Sequence, residues 1–192
     1  MKKALLGLVA GLAMINSPVY ADDYIIDTKG MHAFVQFRVK HLGYSWLYGR
    51  FNDFSGNFSY DPAKPEASKI AIEINMASVD TNHAERDKHI RSDDFLDTDN
   101  NPTARFVSTG YKVNGNNTAE LTGTLNWNGV TKPVTLEVEP VGGGNDPWGG
   151  YRQGFEGRAT FKPAEFGLEL AKKLGPAAGE VELILSIEGV RQ

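Results

Sequence analysis

Apolar and polar residues alternate along most of this chain with a period of two, the spacing of half-buried strands and not of helices. Ala33, Val35, Phe37 and Val39 fall on one face, with Gln36, Arg38 and Lys40 on the other. Phe54, Gly56, Phe58 and Tyr60 alternate with Ser55, Asn57 and Ser59, and Ile70, Ile72 and Ile74 with Ala71, Glu73 and Asn75. Leu121, Gly123, Leu125 and Trp127 follow the same rule, as do Val134, Leu136 and Val138. Phe155, Gly157, Ala159 and Phe161, then Val181, Leu183, Leu185 and Ile187, complete the set. The pattern predicts strands near 32–41, 49–60, 69–79, 103–113, 118–127, 131–140, 151–162 and 180–190, with a short lead-in over Tyr24 to Asp27. Asn128-Gly129 reads as a tight turn between antiparallel strands. Phe34 and Ile184 break the polar outer face and suit a place under a helix or at an oligomer contact.

One segment departs from the alternation. Asn82 to Leu96 is charged and lacks period two, so it predicts a short helix packed over an opening. Strands with one apolar and one polar face enclose an interior and show their other side to water, either as a sandwich or as a closed barrel. About eight strands close into a barrel just wide enough for side chains or one slender ligand. The expected fold is therefore all-β with one short helix, either a sandwich or an antiparallel eight-stranded barrel. Gly56, Gly123 and Gly157 share the inner face with large aromatics. They mark bends or leave the interior underfilled, and an apolar, roomy lumen without titratable groups suits a hydrocarbon chain.

Composition adds an address. Lys2 and Lys3 precede an apolar run from Ala4 to Ile15, and Val19-Tyr20-Ala21 offers small residues at a cleavage position. The run is shorter than the roughly twenty residues of a membrane span, so residues 1–21 read as a cleaved signal peptide. Residues 22–192 then form one domain in the periplasm. Removing Lys2 and Lys3 takes away two positive charges and no acid, so the formal net charge of −4 becomes −6. That balance argues against nucleic acid. The chain has no cysteine, which excludes disulfides, thiol redox chemistry and thiolate metal sites.

The candidate chemistry is thin. His83 and Asp87 are four apart and share a helical face, but His89 points elsewhere and no fourth metal ligand is evident. A capped, salt-bridged helix accounts for the same residues: Asp80 or Asn82 caps its start, and Arg91 and Phe95 pin it to the barrel. His89, Ser92 and Asp93 hold the letters of a hydrolase triad, yet neighbours on one helix cannot converge on a substrate. His41 ends an inward-pattern strand at a loop, where a structural hydrogen bond competes with contact to a ligand head. Gly142-Gly143-Gly144 has no following helix or lysine, so it is a flexible connection and not a phosphate loop.

Five segments occur in order across nearly the whole chain after residue 21: Phe37 to Phe51, Ser78 to Leu96, Asn128 to Val134, Asp146-Pro147-Trp148-Gly149, and Ile187 to Val190. Together they resemble the YceI-like family, periplasmic polyisoprenoid-binding proteins with a lipocalin-like barrel. The long charged segment Ser78 to Leu96 carries most of the specificity. The resemblance implies a carrier, often dimeric, for a long-chain isoprenoid lipid of the polyprenyl or quinone type held in the lumen. It implies neither an enzyme nor a cofactor or metal. The tail site would then comprise Val35, Phe37, Val39 and His41 on one strand, Phe54, Gly56 and Phe58 on the next, and Ile72 and Phe106 beyond them. Leu121, Gly123, Leu125, Trp127, Leu136, Phe155, Gly157, Leu183 and Leu185 would complete it. Tyr44, Trp46, Tyr48 and Trp148 would stand near a mouth, where aromatic residues with a polar edge suit a head group. Trp127 stands where family members carry a smaller aliphatic residue, implying a lumen narrowed at one end. Two alternatives remain open: an enzyme acting on such a lipid in the same cavity, which would need an inward acid, base or metal cluster, and a stress-related interaction protein with a packed lumen.

Overall fold

The computed structural model describes residues 21–192; the predicted leader lies outside the described residues. The elements are β1 (Asp22–Ile26), β2 (Phe34–His41), β3 (Ser45–Phe51), β4 (Phe54–Tyr60), β5 (Lys69–Asn75), β6 (Val79–Asp80) and α1 (Ala84–Arg91). They continue with β7 (Thr103–Val113), β8 (Ala119–Trp127), β9 (Val130–Asn145), β10 (Tyr151–Phe161), α2 (Leu170–Leu174) and β11 (Val181–Arg191). Pairing runs β1-β4-β5-β7-β8-β9-β10-β11 and returns from β11 to β1. The result is the expected closed antiparallel barrel of eight strands.

The strands β1 and β2 are two halves of one stave, because both lie along β11. Tyr24 to Ile26 pair with Arg191 to Gly189, and Phe34 to Val39 pair with Ser186 to Val181. The predicted lead-in thus completes the barrel. The stave beside it is also broken. A single strand over 49–60 was expected, but the ladder is interrupted at Asn52 and Asp53. There the Asn52 amide donates to the Ser78 carbonyl at 3.2 Å and the Asp53 amide to Ser78 Oγ at 3.0 Å. The strand expected to reach 79 stops at Asn75, followed by a 3-10 turn over Met76–Ser78. At the predicted hairpin, Asn128 and Gly129 have φ of 51° and 71°, and Trp127 faces Val130. Both residues tolerate that left-handed backbone, which is what the tight turn requires.

Three further expectations are corrected. Gly142 to Gly144 are not a flexible connection: they pair with Gly154, Gln153 and Arg152 inside β9 and β10. A Cβ at Gly143 would collide with the buried Gln153 side chain, so the missing side chain makes room for packing. There are two short helices, not one. The cap of α1 is His83, whose Nδ1 accepts the Arg86 amide at 3.2 Å, while Asp80 instead accepts from Asn82 and Arg50.

Two long excursions, residues 76–102 and 162–180, cover one end of the barrel. Met76, Val79, Leu96, Ala104, Trp127, Phe166 and Leu168 form the apolar plug beneath them. Arg91 Nη1 reaches the Val79 carbonyl at 3.4 Å, as expected of an anchor. Phe95 is not one: it is half-buried with its ring edge-on to His89 at 4.8 Å, and its neighbour Leu96 enters the plug. Among the described residues no helix is long and apolar enough to cross a membrane.

The cavity inside the barrel

The interior is not filled. Tyr24, Ile26, Val35, Phe54, Phe58, Ile72 and Ile187 pack closely where the broken staves meet β5 and β11. Bordering this cluster, a cavity of about 420 Å³ runs along the barrel, within the ~300–1,000 Å³ typical of small-molecule sites. Alternation turns inner-face residues of β4, β5 and β7 to β11 against it, with Val35 of β2. Of the residues expected to line a tail site, it gathers Val35, Phe58, Ile72, Phe106, Leu121, Leu125, Leu136, Phe155, Gly157, Leu183 and Leu185. Ile70, Ile74, Val134, Val138, Ala159, Phe161 and Ile187 join them; all lie on the inner faces that the alternation identified. The charged residues that reach the cavity, Lys69, Glu156, Lys162, Glu165 and Glu180, are exposed.

The other expected residues of the tail site and its mouth lie elsewhere. Phe37 turns its ring over Gly49 and against Phe51, with centroids 5.5 Å apart, and Val39 sits half-buried beside it on β2. Phe54 belongs to the packed wall. Trp127 lies in the end plug, its ring 5.5 Å from both Phe161 and Phe166, with its indole N–H buried and unpartnered. It therefore closes one end and does not line the lumen. Gly56 and Gly123 are packing positions: a Cβ would meet Ile26 and the Ala71 carbonyl at the first, and the Phe106 ring at the second. Only Gly157 contributes empty space, where a Cβ would find Leu185 at an ordinary 3.4 Å. The loop aromatics form no common mouth. Tyr44, Trp46 and Tyr48, with exposed His41, belong to the β2–β3 hairpin near Val181, whereas Trp148 caps the β9–β10 turn at the other end of β11. Arg38 lies 4.2 Å above the Trp46 ring, on the outer surface.

The wall is incomplete on one side. The β9–β10 ladder ends at Glu137 and Arg158, although β9 extends back to Val130 and β10 runs on to Phe161. Pro133 to Leu136 and Ala159 to Lys162 border this unpaired stretch, and both groups line the cavity. Pro133 has no amide to leave unsatisfied there. The turn Pro163–Phe166 closes the remaining side, tied by Asn128 Nδ2 to the Phe166 carbonyl at 2.8 Å.

Sequence reasoning missed the polar pole of the cavity. Tyr60, Ser68 and Tyr111 line it near the end away from the plug. Burial pushes the Tyr60 phenol up, and burial together with Tyr60 and Glu66 pushes Tyr111 up to about 12. Tyr111 faces inward because Thr109 is an extra residue: Ser108 faces Gly123 but Gly110 faces Thr122. This bulge switches the parity of β7 after Ser108, so no uniform two-residue reading could find Tyr111.

The metal candidates do not converge. Asp87 is buried and accepts from the Thr81 amide at 2.9 Å and hydroxyl at 2.5 Å, while His89 faces Asp94 at 3.3 Å. Elsewhere the ligand atoms of Asp27, His32 and Glu188 lie within 4.8 Å of one another, but the Arg152 guanidinium already fills that space. It reaches Asp27 at 2.6 Å, Glu188 at 2.5 Å and Asp146 at 2.9 Å. The hydrogen bond from Arg152, and then that from His32, hold the Asp27 carboxyl down to about 2. This cluster is a clamp across the barrel seam.

The YceI-like domain model matches residues 24–189. A UPF0312 protein of Pseudomonas paraeruginosa is 58% identical, with all of both chains covered. The protein YceI of Escherichia coli is 54% identical, again over the full length of both. Among solved structures, BcnA of Burkholderia cenocepacia has a TM-score of 0.76 at 25% identity, covering 85% of this chain and 98% of its own. A polyisoprenoid binding domain from Saccharophagus degradans, implicated in plant cell wall breakdown, has a TM-score of 0.64 at 17% identity; 91% of this chain and all of that one are covered. That last likeness is one of fold.

Proposed function

The chain belongs to the YceI-like domain family, and from that premise we propose that it is a periplasmic carrier holding the tail of an isoprenoid lipid inside its barrel. The observation that carries this reading is the elongated cavity of about 420 Å³ with apolar side chains on its inner wall. Empty apolar volume costs a fold stability, and a hydrocarbon would fill it without asking for a buried charge. Roughly ten buried methylene equivalents contribute about 8 kcal/mol before association costs, and each further buried methylene adds about 0.8 kcal/mol. The unpaired stretch between β9 and β10 is a route by which a tail can enter or leave while the rest of the barrel stays closed. The polyisoprenoid binding domain from Saccharophagus degradans, which shares this fold, is consistent with the same chemistry. A binding role is favoured over catalysis because no carboxylate or imidazole is buried against the cavity among the described residues. The basic, apolar and small-residue pattern over 1–21 supports export.

Native mass spectrometry of protein recovered by osmotic shock tests both parts. The expected result is a chain beginning near Asp22 that carries an apolar adduct whose mass fits an isoprenoid. Protein that keeps its leader in the cytoplasm refutes the address, and protein that neither copurifies with nor takes up any isoprenoid refutes the function.

A further inference from the structure

The polar pole of the cavity is built from three consecutive staves. Tyr60 ends β4, Ser68 immediately precedes β5, and Tyr111 lies on β7. Tyr60 and Tyr111 are 9% and 8% exposed, and both line the cavity. Between them Ser68 Oγ is buried and has no hydrogen-bond partner among the described residues. A buried hydroxyl left unsatisfied is costly, and buried polar groups are almost always paired. One such group, beside two phenols that line the same end of an otherwise apolar cavity, points to a partner that arrives from outside.

The surrounding charges say what kind of partner. Asp61 follows Tyr60, is 8% exposed, and has one carboxylate oxygen buried without a partner. Glu66, in the 3-10 turn Pro65–Ala67 that packs on β7, lies close enough to Tyr111 to raise its phenol. The one nearby cation among the cavity residues, Lys69, is exposed and precedes inward-facing Ile70, so its side chain starts on the outer face. Two carboxylates stand beside the pole and no cation is buried in it. A phosphate or pyrophosphate head would meet repulsion there without the pairing that a buried anion needs. An uncharged head that both accepts and donates hydrogen bonds meets complementary groups.

We infer that Tyr60, Tyr111 and Ser68 form a head-group site selecting an uncharged, hydrogen-bonding isoprenoid head, such as an alcohol or carbonyl, over a phosphorylated one. The lipid then lies with its head at this pole and its tail along β8 to β11 toward the lateral gap. This inference rests on the lipid-carrier reading above.

Three probes of equal chain length separate the possibilities: geranylgeraniol, geranylgeranyl phosphate and the corresponding hydrocarbon. Their affinities are measured on delipidated protein and on Tyr60→Phe, Tyr111→Phe and the double variant. Phenylalanine keeps each ring, including the edge-on packing of Tyr60 on Phe155 with centroids 5.0 Å apart, so a Tm equal to or above that of wild type is expected. Geranylgeraniol should bind wild type at least tenfold more tightly than the phosphate. It should lose about fivefold per phenol removed, the equivalent of about 1 kcal/mol for a neutral hydrogen bond, while hydrocarbon affinity stays within twofold. Phosphate binding as tight as or tighter than the alcohol overturns the inference. So does a double variant that binds the alcohol as wild type does, which would leave water as the partner of the hydroxyls. If the hydrocarbon and the alcohol both fail to bind wild type, the carrier reading itself falls.

Discussion

Replacing Gly157 by leucine should separate ligand capacity from folding. Gly157 is buried on β10 opposite Leu185, and it borders the cavity. A Cβ added there meets Leu185 atoms at 3.4 and 3.5 Å, ordinary contact distances, so the remaining three carbons of leucine extend into free volume. If they displace three to four methylene equivalents of ligand, at about 0.8 kcal/mol each, binding weakens by about 3 kcal/mol, or roughly a hundredfold. The folded state gains buried apolar area and loses a strand glycine, itself worth about 0.5–1 kcal/mol, so Tm should hold or rise. Gly123→Leu is the matched contrast. There a Cβ alone collides with the Phe106 ring and comes within 2.6 Å of the Val107 carbonyl. Overpacking of this kind costs about 1–3 kcal/mol, or several degrees of Tm at 2–4 °C per kcal/mol for a chain of this size. Calorimetry of both variants, with tail-probe titration of each, gives the comparison. A Gly157→Leu protein that melts as low as Gly123→Leu, or that binds the probe as wild type does, would show that the void at Gly157 is not where the tail lies.

Three other outcomes follow from the same geometry. Leu96→Ala should destabilise the protein by about 2–5 kcal/mol, because it removes a buried side chain from the end plug; Phe95→Ala should cost clearly less in the same denaturation series. Asp27 has its folded carboxyl held down to about 2, so its stabilising effect is complete above the ordinary carboxylate range and fades as pH falls from about 4 toward 2. Asp27→Asn should lower stability at neutral pH and flatten that acid limb in denaturation curves; an unchanged limb refutes the clamp. Thr160→Trp, at an exposed position beside the lateral gap, should slow both uptake and release of a lipid probe in stopped-flow mixing while shifting its Kd less than about threefold. Exchange at the wild-type rate would place the route elsewhere.

Period-two alternation was sufficient to define antiparallel strands around one apolar interior, because a strand with one apolar face has to bury it, but a sandwich and a barrel satisfy it equally. The inner-face positions of β4, β5 and β8 to β11 follow from that rule alone, and eleven of the expected tail-site residues border the cavity for this reason. What alternation cannot register is an inserted residue. The interruption at Asn52 and Asp53 and the bulge at Thr109 each change which parity faces inward, so Tyr111 became visible only once both strands were paired. Nor can a one-dimensional pattern say whether an inward glycine makes space or yields it to a neighbour. Gly123 is filled by Phe106 from the adjacent strand, while Gly157 is left open because Leu185 stops short of it. Local pattern thus determined the faces, and the pairing of β1 with β11 decided the closure. The void, its lateral gap and its polar pole arise from how side chains of neighbouring staves meet, and that is decided by register and by tertiary packing.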